Sequence, residues 1–474
     1  MVFSSLLFVF AFLALHLIIY FMCPEKHRNT VLIVFSLIFY GWSGPLYLLL
    51  LLIIVGISWV CALEIERDKT RGGNGKRWLI IDCVLQLLIL GIFKYTRFFA
   101  YNFKLVFGVP EIIPEIVLPL GISFYTFQLM SYVIDVYRGD AKAQPKYSKL
   151  LLYAGLFHQC VAGPIVRYQT IADEIDNRRV NNADLAYGCR RFAIGLAKKA
   201  ILANGCAEAA RQLLPETLEK LGGASTTGLW LGMLFYTLQI YLDFSAYSDM
   251  AIGMGRICGF HYLENFNYPY TADTVQGFWR RWHISLSSFF RDYVYIPLGG
   301  SRVKESRWVW NMFVVWFLTG MWHGASWNYI FWGLYFFAFL LLEKYIHKEK
   351  WPKAIRWFTT FVIVLVGWVL FRFEDTGLML GVLKGMFGLQ GIAFGAYSVQ
   401  TTFLNYLFFL IVALVASTPL LKNLRAKVYA NAEKTGKAPR LMMIADTVIP
   451  ALLVILSLCA LVGDSYNPFL YFQF

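Results

Sequence analysis

The stretch WVWNMFVVWFLTGMWHGASWNYIFWGLYFFAFLLL, Trp308 to Leu342, contains no Asp, Glu, Lys or Arg, yet it carries His323 near its middle. Apolar runs of this kind form membrane helices, and an ionisable group inside one is costly enough to mark function by default. The segment Trp308 to Met321 has 14 residues. At about 1.5 Å per residue its helix covers about 21 Å, less than the roughly 30 Å hydrocarbon core, so His323 is expected at membrane depth. On these residues alone two readings stand. His323 is either a working group or a neutral packing histidine bonded to Ser326, Asn328 or a carbonyl. Gly324, Ala325 and Ser326 leave room for a substrate, or equally for close helix packing.

The rest of the chain agrees with a membrane setting. Of its 474 residues 58% are hydrophobic, 18% aromatic and only 15% charged, and the mean hydropathy is +0.55, away from soluble globular composition. Ser4 to Met22, Thr30 to Ile53, Trp78 to Phe93, Phe403 to Leu420 and Thr447 to Gly463 are further spanning candidates. Trp42-Ser43-Gly44-Pro45 should split the second of these. The first run lacks a basic leader and a cleavage pattern and is expected to stay as an anchor. The expected fold is an all-α polytopic membrane protein, with roughly ten or eleven transmembrane helices plus re-entrant and interfacial helices.

The net charge of +14 comes from basic clusters between apolar runs, at Lys26 to Arg28, Arg67 to Arg77, Arg138 to Lys149, Arg280 to Arg307, Lys344 to Arg356 and Lys422 to Arg440. Such clusters orient a membrane protein with the basic loops in the cytoplasm, so no nucleic-acid partner is inferred. Counting crossings from them puts the N terminus and the C-terminal Asp464 to Phe474 on the extracytoplasmic side. The eight cysteines are scattered without CxxC spacing and read as packing residues, with no disulfide and no metal site expected. Tyr168 to Leu221 is amphipathic, with Arg190, Arg191, Lys198 and Lys199 beside apolar residues, as expected of interfacial helices. Tyr247 to Arg307 holds too much polar sequence for a mere connector. No repeat or linker divides the chain, and 1–474 reads as one domain.

Three further constellations carry polar groups. In Phe278 to Asp292 a helical reading puts Trp279, His283, Leu286 and Phe290 on one stripe and Arg281, Ser285, Ser288 and Asp292 on another, turning His283 toward the core. Asp243 and Asp249 end an apolar run, and Asp243, the deeper, either pairs with an arginine or orients a histidine. Gly299-Gly300-Ser301-Arg302 lets backbone amides approach a phosphate but matches neither the GxGxxG nor the Walker pattern.

Taken together, Asp243-Phe244-Ser245-Ala246-Tyr247-Ser248-Asp249, Asn265-Phe266-Asn267-Tyr268-Pro269-Tyr270, Phe278-Trp279-Arg280-Arg281-Trp282-His283-Ile284-Ser285-Leu286, Arg291 to Gly300 and Trp322-His323-Gly324 resemble the membrane-bound O-acyltransferase family. The likeness extends to Gly121 to Thr126, Ala162-Gly163-Pro164 and Asn467-Pro468-Phe469. It points to the bacterial branch of alginate O-acetylation proteins, peptidoglycan O-acetyltransferases and teichoic-acid D-alanylation proteins, and Pro297-Leu298-Gly299-Gly300 favours the acetylating members.

The resemblance implies that His323 is the family's catalytic histidine, that His283 fills its second polar position, and that a central tunnel joins a cytoplasmic donor to an acceptor across the membrane. Asp243, Tyr247, Asn265, Trp279, Arg280, Arg281, Arg291 and Asn328 are then expected at the donor or along the tunnel. The expected donor is acetyl-CoA or another acyl thioester, with no bound cofactor. The expected acceptor is a polysaccharide or peptidoglycan, reached directly or through a secreted or membrane-anchored serine hydrolase-like partner. The expected location is the bacterial plasma (inner) membrane. The rival is a transporter or polysaccharide export component with His323 as a proton relay; the inverted halves of many transporters are not visible here.

Overall fold

The structure, a computed structural model, describes residues 2–108, 116–160, 163–346, 350–434 and 438–463. The expectations for Asp464 to Phe474, for Asn467-Pro468-Phe469, for Ala162 and for residues 347–349 of the fifth basic cluster lie outside the described residues. Everything regular is helical; among the described residues the one β pairing is the bridge between Ser225 and Ala393. The chain forms two compact units, Met1–Phe192 with Met250–Glu264, and Ala193–Asp249 with Asn265–Phe474.

In the first unit the apolar opening run forms Leu7–Leu13, a wide π turn, continued by Ala14–Met22. The next run is split as expected, into Arg28–Gly41 and Pro45–Thr70, with the proline in the first turn, where a missing amide costs nothing. Lys76–Phe107 outruns the expected Trp78 to Phe93. Its buried polar groups meet partners on the neighbouring helix: Ser58 Oγ donates to Asp82 at 2.6 Å, and Gln86 donates to Ser58 Oγ at 2.8 Å. These two bonds satisfy Asp82 Oδ1 and one hydrogen of the Gln86 amide away from water. Tyr168–Asn177 is amphipathic as expected, burying Tyr168, Ile171 and Ile175 along one face.

The second unit holds a hairpin of Glu305–His323 and Trp327–Tyr345. Close approach of the two backbones requires glycine here: a Cβ on Gly333 would overlap the Trp316 carbonyl, and one on Gly320 would overlap the Tyr329 carbonyl. Lys353–Arg372, Thr376–Met386, Tyr397–Ala416, Leu420–Lys434 and Ala438–Gly463 follow.

Five helices among the described residues are long and apolar enough to cross a membrane, with Leu7–Met22 and Thr376–Met386 as shorter apolar helices. The protein is an all-α membrane protein.

Candidate active site

His323 is the last residue of Glu305–His323, and the chain leaves the helix at Gly324 in an extended conformation. The imidazole is 3% exposed. Its ring stands edge-on to Trp332, with centroids 4.8 Å apart, and to Phe371, at 5.3 Å. Asn328 does not serve it through its amide NH₂, which instead donates to the Phe371 carbonyl at 3.3 Å and ties the hairpin to the end of Lys353–Arg372. Nor does Gly324 leave open space, since a Cβ there would overlap the Tyr329 ring.

The expected single helix over Phe278 to Asp292 is corrected. Val275–Trp279 ends, the chain turns, and Ile284–Phe290 begins, with His283 as its N-cap at φ 45 and ψ 55. Residues 291–295 then form a π turn. His283 is nonetheless 1% exposed, so the inward direction held while its cause did not. A left-handed backbone aims the side chain, at a cost of about 1–2 kcal/mol for a residue with a Cβ. Such strain persists only where surroundings impose it, and it gathers at functional sites.

The surroundings are identifiable. The Asn265 carbonyl accepts the Ile284 amide at 3.0 Å, and the Asn265 side-chain oxygen accepts the Ser285 amide at 3.1 Å and the Ser285 hydroxyl at 2.9 Å. One turn earlier, the Asn267 amide donates to the Arg281 carbonyl at 2.9 Å. The Ser285 oxygen is also 3.4 Å from His283 Nδ1. Depending on the tautomer, Nδ1–H donates to that oxygen, or Nδ1 accepts its proton in place of Asn265, which leaves the ring hydrogen on Nε2. The His283 ring packs on Phe244 at 4.8 Å and on Trp322 at 5.8 Å. Trp322 adjoins His323 in sequence, and their rings are 5.1 Å apart. The two histidines thus flank one indole.

The model for the membrane-bound O-acyltransferase family matches residues 141–349, which include both histidines and Asn265. A protein of Azotobacter vinelandii named "Probable alginate O-acetylase AlgI" is 35% identical over 504 residues, covering 100% of each chain. The chain belongs to the membrane-bound O-acyltransferase family. A peptidoglycan O-acetyltransferase of Helicobacter pylori is 34% identical, covering 85% of this chain and 83% of that one. A teichoic acid D-alanyltransferase of Bacillus subtilis is 31% identical over 52% of this chain and 65% of its own. As a member of this family the protein is a multi-pass membrane acyltransferase.

The remaining expected residues of this acyltransferase separate into distinct settings. Asp243, 2% exposed, meets the buried Lys199 at 2.8 Å, and Asp249 meets Lys198 at 2.7 Å. The partners are lysines on the π turn Lys198–Ala203, not an arginine, and sequence reading had placed those lysines at the interface. Tyr247 lies one turn beyond Asp243 on the same helix and is buried. Trp279 packs against Trp316, Trp332 and Phe336. Arg281 donates to Thr271 at 2.8 Å, while Arg280 is exposed. Arg291 is exposed and bonds Asp292 through Nε at 2.6 Å, and this carboxylate raises the arginine above its ordinary range. Gly299 and Gly300 do form a left-handed turn, with Asn311 donating to the Gly300 carbonyl at 3.1 Å.

Trp322 packs ring to ring against His283, and Trp332 and Phe371 against His323. A cleft of about 350 Å³ in the second unit lies elsewhere, at Thr227, Leu231, Val399 and Phe403. Sequence reading named Lys199 as interfacial and Trp322 as part of a motif without giving either a place at the site, and did not name Phe371. Ser285, seen only as part of a polar stripe, offered a signal in its place two residues after a histidine.

Proposed function

We propose that this acyltransferase moves an acetyl group from a cytoplasmic thioester to a hydroxyl of a cell-surface or exported polysaccharide, with His323 as general base and His283 as its polar partner. The observation that carries this reading is the pair of buried histidines flanking Trp322, one of them held in a left-handed conformation by Asn265. A packing role gives no reason for a strained histidine, whereas a catalytic site does.

In the proposed step, His323 takes the proton of the acceptor hydroxyl as its oxygen attacks the thioester carbonyl carbon. The carbonyl π electrons move to oxygen, where His283 stabilises the charge by donating from Nε2, in the tautomer whose Nδ1 accepts from the Ser285 hydroxyl. The attack has formed the ester C–O bond; collapse of the oxyanion restores the C=O bond, breaks the C–S bond, and returns the proton from His323 to the departing thiolate. Acetyl-CoA is the donor this reading favours, because exposed Arg280, Arg291, Arg302 and Lys304 lie on the same segment as His283 and suit phosphates.

Acetyl is preferred to D-alanyl because the relatives that match along most of the chain are named for O-acetylation, while the D-alanyltransferase matches about half of it. The acceptor is a polysaccharide or peptidoglycan, met directly or through a secreted serine hydrolase-like partner, in a bacterial plasma membrane with both termini outside. The family match draws residues from both units, which supports treating 1–474 as one functional domain. The test is acetyl transfer from labelled acetyl-CoA in reconstituted membranes. Label appearing in acceptor with the native protein and not with His323→Ala supports the reading; unchanged turnover in the variant sinks it.

A further inference from the structure

Away from the two histidines discussed above, the first unit buries a second group of chemically capable side chains. His16 on Ala14–Met22, His158 in the single turn Phe157–Gln159, and Cys258 just past the end of Thr226–Ile257 are each 0% exposed. One ligand atom from each lies within 4.8 Å of the others. They come from positions 142 and 100 residues apart, so no sequence spacing announces them.

Neither nitrogen of His16 has a hydrogen-bond partner, nor does Nδ1 of His158. Burying a polar atom without a partner costs about 1–3 kcal/mol, and each one asks for an explanation. The rings around the pair offer none: Phe35 and Phe157 lie each 5.1 Å from His16, and Tyr20, at 5.8 Å, gives its hydroxyl hydrogen to the Cys258 carbonyl. The thiol, by contrast, is held firmly in place. The Cys258 carbonyl accepts from the Tyr20 hydroxyl at 2.8 Å and from Arg178 Nε at 3.1 Å, which fixes the backbone that carries it.

We propose that His16, His158 and Cys258 form a metal site for one soft d¹⁰ cation, Cu(I) or Zn(II). Cys258 Sγ and His158 Nε2 are 3.9 Å apart. Metal–sulfur and metal–nitrogen bonds of about 2.3 and 2.0–2.1 Å put these atoms about 3.6 Å apart in a tetrahedral site and about 3.8 Å in a trigonal one. The widest pair contracts by about 1 Å to meet the same bond lengths. Thiolate with imidazole selects soft ions. Three side-chain ligands and one negative charge in an apolar shell favour three-coordinate Cu(I), which the thiolate neutralises, over Zn(II), whose structural sites take four ligands. Binding displaces the thiol proton and gives one nitrogen of each histidine a partner. The ion ties three segments distant in sequence into one unit, and with ligands this buried it loads as the protein folds.

The test uses full-length protein carrying a tag without histidine, purified in detergent under reducing conditions from cells supplied with zinc and copper. Elemental analysis should find one zinc or copper per chain, lost in Cys258→Ser and in His158→Ala. A second arm needs no substitution and covers the case of variants that fail to fold. The native protein is stripped with chelator, given Co(II), and watched for a thiolate-to-cobalt charge-transfer band. Either metal at one per chain, or that band, supports the site. Monodisperse native protein with metal well below one per chain and no cobalt band overturns it, as does a full metal content that survives in folded Cys258→Ser.

Discussion

Asn265 accepts two hydrogen bonds from Ser285 on a single side-chain oxygen, one from the amide at 3.1 Å and one from the hydroxyl at 2.9 Å. The pair fixes the turn that holds His283 at φ 45. Replacing Asn265 with Ala leaves a buried amide without its acceptor, a loss of about 1–3 kcal/mol. The expected outcome is a lower melting temperature together with reduced acetyl transfer. Ser285→Ala keeps its amide bond to Asn265 and loses only the hydroxyl, so it should melt within about 1 kcal/mol of native and still transfer more slowly. Equal activity in Ser285→Ala and native protein would remove the hydroxyl from the positioning of His283.

The backbone at His283 separates strain from chemistry. His283→Ala keeps a Cβ in a left-handed conformation, whereas His283→Gly does not, so the glycine variant should be the more stable of the two by about 1 kcal/mol. Both should lose acetyl transfer. Thermal melts of the two variants side by side check the first expectation, and transfer assays on the same samples check the second.

For a general base, removal costs on the order of 10²- to 10⁴-fold in rate. His323→Ala is expected in that range at unchanged donor affinity, while His323→Gln, which cannot take up a proton, should be comparably slow with better retained packing against Trp332 and Phe371. Steady-state transfer measured at saturating donor distinguishes this from a packing histidine, for which the glutamine variant would recover most of the rate.

The Lys199–Asp243 pair is buried on both sides, at 3% and 2% side-chain exposure. Breaking such a pair on one side costs about 3–5 kcal/mol, whereas replacing both ends with apolar groups is far milder. Lys199→Met should therefore express poorly or melt much lower than native, and Lys199→Met with Asp243→Leu should recover most of that loss. A double variant as unstable as the single one would show that the lysine acts through other contacts.

Gly320 and Gly324 differ in what a methyl group meets. At Gly320 it meets the Tyr329 carbonyl, part of the opposing helix backbone; at Gly324 it meets the Tyr329 ring, a side chain. Overpacking against a rigid neighbour costs about 1–3 kcal/mol. Gly320→Ala should thus destabilise the hairpin more than Gly324→Ala, as read from melting temperature.

Much was legible in the sequence because it depends on local chemistry. Apolar runs, the break at Trp42 to Pro45 and the amphipathic face of Tyr168–Asn177 follow from what each segment can bury or bond by itself. An ionisable residue in the uncharged run Trp308 to Leu342 identified His323 for the same reason, and the neighbouring motifs gave the family. What the sequence could not supply is any property that joins distant segments. The helical reading of Phe278 to Asp292 failed because Asn265, 18 residues before His283, holds the turn that interrupts it. Lys199 read as interfacial because its partner Asp243 lies 44 positions away. His16, His158 and Cys258 carried no signal at all until the fold placed them together. Periodicity reports which way a side chain faces, but only tertiary structure decides what it meets there, since burial and hydrogen bonding are paid between segments and not within them.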